Sequence, residues 1–168
     1  CIGTPDSQCG AARCASSAER GERSAKSARS RSITVSGVSR DGAIIDVPAR
    51  DEGKTVVYDP KAPVRMMRNR VWHGTDYQEK PSGEWNVLEV YSLNGNAVFR
   101  LNGRTVNVIL NSRYREKGSD QDIPLKAGKL QIQSEAAACE YRRLEIRPLT
   151  AWPKEVAGDV PTIVPPAK

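Results

Sequence analysis

Glu135 closes the run Leu130-Gln131-Ile132-Gln133-Ser134-Glu135, in which apolar and polar side chains alternate. Successive side chains of an extended strand point to opposite faces, so Gln131, Gln133 and Glu135 share one surface and Leu130 and Ile132 the other. Two amides and a carboxylate in a row can hydrogen-bond sugar hydroxyls, and the carboxylate can also take up a proton. The same row is equally ordinary solvated sheet surface. His73, the single histidine, follows Trp72 in the stretch Val71-Trp72-His73-Gly74-Thr75-Asp76. An imidazole titrates near neutrality and can serve as acid or base, and an indole can cover the apolar C–H face of a sugar. The plainer alternatives are an inert loop histidine, with Trp72 and Asp76 closing one end of the fold.

These groups need strands to hold them, and the sequence predicts strands. Two Asn-Gly pairs, Asn94-Gly95 and Asn102-Gly103, stand a few residues apart, each flanked by alternating apolar and polar positions. That is the strongest short-range hairpin signal. Within residues 85–91, Leu88 and Val90 fall on one face and Trp85, Val87, Glu89 and Tyr91 on the other. In the next strand Ala97, Phe99 and Leu101 oppose Val98 and Arg100. Upstream, SITVSGV, AIIDVPA and KTVVY read as further short strands, separated by turn residues. Residues 65–83 show neither period and are expected to form a long loop, a place where function concentrates. The expected fold is all-β: an antiparallel β-sandwich over residues 32–150.

Composition bounds the possibilities. The chain has 168 residues, 38% of them hydrophobic, with one Phe, which suffices for a single modest core. No apolar run approaches the roughly 18 residues of a membrane span. The formal charge of +6 raises the question of nucleic acid. The arginines, however, are dispersed among acids, one per strand or turn, and no basic run forms, so nucleic-acid binding is not expected. Residues 1–31 are rich in Ser, Ala, Arg and Gly, lack either period, and are expected to pack poorly. Three of the four cysteines, Cys1, Cys9 and Cys14, lie there at spacings that fit neither a zinc site nor a disulfide framework. Cys1 can be read as an acylated lipoprotein anchor followed by a polar tether, but a truncated or frame-shifted start is the preferred reading. Residues 151–168, Pro-rich, are expected to form an extended tail.

The wording of residues 81–149 adds a resemblance. GEWN leading into LNGRTVN, then GKLQIQSE and LEIRPL, resembles the C-terminal half of the 3-keto-disaccharide hydrolase family. The resemblance implies a concanavalin A-like jelly-roll sandwich, here incomplete because the family's usual first half is not evident before residue 32. It also implies an exported, extracytoplasmic protein and a carbohydrate substrate: a 3-keto-glycoside cleaved by elimination and hydration, or by hydrolysis. A ketone at C3 acidifies the C2 proton, so one base and one acid suffice and no cofactor or metal is called for. Glu135 stands where relatives read QSEG or QDHG and is the implied base, or else a metal ligand; Ala136 and Ala138 depart from the family's Gly and acidic residue. Arg142 matches the Arg of the family's YRN or FRN strand and can hold a hydroxyl or an enolate oxygen, or else pair with Glu140 or Glu145. Asn111 and Arg113 match an NSR found after the LNG strand and can recognise a polar group, or simply shape a turn. The expected site thus joins Glu135 and His73 as proton-transfer groups with Gln131, Gln133, Arg142, Trp72, Asn111 and Arg113 as binding groups. A non-catalytic carbohydrate-binding module and an inactive fragment of the family are the competing readings.

Overall fold

A computed structural model describes residues 11–17, 44–68, 71, 79–81, 83–116, 118–128, 132 and 140–160. Among them run nine strands and one short helix: β1 (Ala11–Ser17), β2 (Ile44–Glu52), β3 (Thr55–Tyr58), β4 (Val64–Met67), β5 (Asn86–Leu93), β6 (Asn96–Leu101), β7 (Arg104–Arg115), β8 (Asp122–Pro124), β9 (Glu140–Arg147) and α1 (Lys154–Ala157). Every pairing is antiparallel. The ladder runs β3-β2-β7-β6-β5-β1-β9, with β4 beside β2 and β8 beside β7. The chain is therefore all-β: the antiparallel sandwich is what the alternating pattern predicts, and its jelly-roll class is what the family resemblance implies.

The two hairpins form where the sequence places them. Asn94 and Gly95 have φ of 51° and 75°, and Asn102 and Gly103 have φ of 51° and 83°. Positive φ at both central residues is the type I′ geometry, whose twist matches that of the flanking strands. Asn102 adds side-chain bonds: its Oδ1 accepts from the Val87 amide (3.0 Å) and its Nδ2 donates to Asn86 Oδ1 (2.8 Å).

β7 is long enough to serve three neighbours. Its first half pairs with β6, and its second half with β2 and β8. The change falls at Asn111, which has φ of 50°, where the register with β2 shifts between Ile44 and Asp46. Such a bulge bends a strand and lets it turn the corner of a sandwich. Local bonds hold it: the Asn111 amide donates to Asn96 Oδ1, the Ser112 amide to the Gly95 carbonyl, and the Leu125 amide to the Ser112 carbonyl, all at 2.8 Å.

Both faces of the central strands are apolar, which makes two clusters. Tyr91, Val98 and Val108 stand side by side across β5, β6 and β7 and join Val47, Ala49, Tyr58 and Leu110. Phe99, Leu101, Val106 and Ile109 occupy the other face.

Three boundaries differ from the sequence reading. Residues 11–17 are not loosely attached, because β1 lies between β5 and β9. Ladder hydrogen bonds come from the backbone, so a stretch of Ala, Ser and Arg with two neighbouring strands can join a sheet without an apolar pattern. Residues 151–160 are not an extended tail. Trp152, Val156 and Val160 recur every fourth residue, and all three pack on the first cluster, with Val156 at 0% exposure. The loop expected from residue 65 gives up its start to β4, which pairs with β2.

Candidate functional site

Of the site residues expected from sequence, Trp72, His73, Gln131, Gln133 and Glu135 lie outside the described residues. Ile132, between the two amides, is exposed. Asn111, Arg113 and Arg142 are described, and they fall into two separate places.

Asn111 and Arg113 sit at the bulge of β7 and both engage Asp46 of β2. Arg113 Nη1 donates to Asp46 Oδ2 (2.9 Å) and Nη2 to Oδ1 (3.0 Å), a two-pronged fork, and Asn111 Nδ2 donates to Oδ2 (3.0 Å). Arg113 also donates to the Asn111 carbonyl (2.8 Å) and lies 3.8 Å from Asp122, which Arg115 holds at 2.6 Å. The pair is mostly sheltered, with side-chain exposures of 14% for Arg113 and 23% for Asp46. Burial alone raises the Asp46 carboxyl, but the hydrogen bonds from Arg113 and Asn111 and the charge of Arg113 outweigh it and leave the carboxyl below its usual value. The same fork raises Arg113. Both predicted residues are thus engaged within the fold, clamping β2 to β7 where the register slips.

Arg142 lies on β9, at the far end of the ladder. Its cross-strand row runs through Ala15 of β1 to Val87 of β5, and its guanidinium carbon sits 3.7 Å from the centroid of the Trp85 ring. Neither Glu140 nor Glu145 takes it; Glu145 pairs with Arg147 at 2.9 Å. The indole and the guanidinium form a stacked platform on the face that also carries Val87, Glu89 and Tyr91. Asn111, by contrast, adjoins Asn96, opposite Leu93 at the end of β5. The stretch of β5 between the two rows spans about 20 Å, so Arg142 and the Asn111–Arg113 pair do not meet in one site.

Next to the platform stands a second polar group that the sequence reading did not single out. Glu89 faces Arg100 across the hairpin, with Arg100 Nη1 3.8 Å from Glu89 Oε2, and the Tyr91 hydroxyl donates to Glu89 Oε1 at 3.2 Å. Arg100 also donates to the Gly103 carbonyl. Burial, and then the neighbouring Glu89 charge, raises the Tyr91 phenol, so it stays protonated and able to donate. Two residues along the strand and two strands across separate Glu89 from Arg142, about 12 Å between Cα atoms, a span that a disaccharide can bridge. The signal for this group was available. A two-residue turn at Asn94-Gly95 pairs Leu93 with Asn96 and, counting outward, Glu89 with Arg100. Trp85 shares that face by alternation, whereas its contact with Arg142 depends on β1 lying between.

Among the described residues no group of three or more His, Cys, Asp or Glu side chains is placed to hold a metal ion. No helix among them is long and apolar enough to cross a membrane. No curated protein and no solved structure matches the chain. A family model described as a 3-keto-alpha-glucoside-1,2-lyase-like domain matches residues 22–147, well over half of the chain, and with this jelly-roll fold around it the protein belongs to that family.

Proposed function

We propose that the chain cleaves 3-keto-glycosides by β-elimination followed by hydration. Family membership over residues 22–147 is the observation that carries this reading, and the stacking of the exposed Arg142 side chain on the half-buried Trp85 ring supports a sugar-binding surface. In the proposed reaction the ketone at C3 acidifies the C2 proton. A base removes that proton, the electron pair forms the C1=C2 bond, and the C1–O bond breaks as the departing oxygen takes up a proton. Water then adds across the double bond. Glu135 is the proposed base and His73 the second proton-transfer group. Arg142 is proposed as a substrate-binding group, and Gln131, Gln133 and Trp72 belong to the same proposed recognition set; Asn111 and Arg113, already bound to Asp46 at the other end of β5, stand apart from it. An extracytoplasmic location is part of the same proposal.

The test is turnover of a 3-keto-disaccharide by the full chain, followed by release of the reducing sugar. General-base catalysis contributes about 10²- to 10⁴-fold, so Glu135→Gln is expected to lower turnover by that range with little change in substrate binding. Unchanged turnover removes Glu135 from the mechanism. A second reading, carbohydrate binding without turnover, is favoured by one observation: Glu89, the acid on the platform's own face, is already held by Tyr91 and Arg100. Sugar binding by a parent chain that releases no product would select it.

A further inference from the structure

The described arginines of this fold mostly answer a carboxylate. Arg65 pairs with Asp51, Arg113 with Asp46 and Arg147 with Glu145, each at 2.8–2.9 Å. Arg142 does not. Its exposed side chain lies over the Trp85 ring, and no described carboxylate comes within ion-pair distance of it.

An aromatic face beneath a guanidinium covers one side of the plane and leaves the N–H groups around its edge free to donate. The contact also limits side-chain motion, so less conformational freedom remains to be lost when a ligand binds. A planar fork with free edges is the geometry that recognises a carboxylate through two parallel hydrogen bonds. A second observation lies beside it. Arg143 has φ of 55° and is exposed, at the point where the register of β9 against β1 shifts between Arg13 and Ala15. Positive φ is uncommon for a residue with a long side chain, and bulges re-aim side chains near functional sites. No ion pair occupies Arg143 either, so β9 presents two consecutive cations without counter-charges among the described residues.

We infer that the Trp85–Arg142 platform, reinforced by Arg143, binds a carboxylate-bearing sugar, so that the substrate class is an acidic glycoside of the uronic-acid type rather than a neutral one. The inference rests on the carbohydrate reading above and narrows it. The carboxylate sits in the fork of Arg142, and Arg143 adds long-range attraction. A hydroxyl in the same place would gain only neutral-acceptor hydrogen bonds, which are about half as strong.

Binding of methyl glucuronide and methyl glucoside to the full chain, measured by saturation-transfer NMR and calorimetry, tests this directly. The expected result is that the glucuronide binds about tenfold more tightly at low salt, and that this advantage shrinks as salt screens the exposed charges. Arg142→Gln is expected to bring the two affinities together, while Arg142→Lys keeps part of the preference. Because the side chain is exposed, the far-ultraviolet circular dichroism of both variants should match the parent, which checks the fold. Equal affinity for the two sugars in the parent overturns the inference and leaves the carbohydrate reading standing. A preference that survives Arg142→Gln also overturns it, because another group would then be responsible. Binding of acetate as tightly as the glucuronide overturns it as a sugar site, and binding of neither sugar overturns it too, while turnover of a 3-keto-disaccharide still decides the carbohydrate reading.

Discussion

Arg113→Met removes the fork that ties β7 to β2 while keeping most of the side-chain volume. Two charged hydrogen bonds, at 2.9 Å and 3.0 Å, go with it, and Asp46 retains only the donor from Asn111. Hydrogen bonds to charged groups contribute about 1.5–3 kcal/mol each when sheltered, and exposed ion pairs less than about 1 kcal/mol. Asp46 keeps 23% of its side-chain surface in contact with solvent, so water replaces part of what is lost. A net cost of about 2 kcal/mol follows, which for a chain of this length lowers the melting temperature by about 4–8 °C. The pH dependence has a definite sign. The Asp46 carboxyl titrates below its ordinary 3.8 in the folded chain, so its stabilisation is present above the unfolded value and lost as the pH falls through the folded one. Thermal melts followed by circular dichroism should therefore separate parent and variant at pH 7 and separate them less at about pH 2, because this stabilisation fades as the pH falls through the folded value. A gap of under about 1 °C at neutral pH, or a gap of equal size at both values, would refute the reasoning.

Val156→Ala strips two methyl groups from a fully buried position in the first core cluster, and a cost of about 2 kcal/mol is expected from the lost transfer and the cavity left behind. The urea midpoint measures it; no change would mean that residues 149–160 add nothing to the core. Burial, followed by the charges of Asp159 and Asp59, pushes the Tyr58 phenol up to about 12. The raised value means stabilisation that is complete below the unfolded value of 10.0 and is lost as the pH rises through the folded one. In an ultraviolet titration of the five tyrosines, Tyr58→Phe should remove the latest-titrating phenol, and a parent in which all five ionise together near 10 would contradict the packing.

Some of this architecture is written locally in the chain. The two Asn-Gly turns, the alternation on either side of them and the pairing of Glu89 with Arg100 follow from neighbouring residues alone, because a type I′ turn needs only positive φ at two adjacent positions and then dictates the register outward. The apolar spacing of Trp152, Val156 and Val160 was equally legible, though masked by the prolines around it. The family resemblance was legible too, in phrases such as LNGRTVN and LQIQSE. Other features arise only in three dimensions. The fork between Arg113 and Asp46 joins residues 67 positions apart, and neither carries a local sign that it will meet the other. The place of β1 is decided by its neighbours, since Ala11–Ser17 has no strand-like pattern and enters the sheet through backbone hydrogen bonds, which are the same for every residue type but proline. Arg142 reads from sequence as one more surface cation on β9. It becomes a platform because β1 inserts between β5 and β9 and brings Trp85 beneath it. Side-chain alternation says which face a residue occupies; only the order of strands in the sheet says what stands next to it.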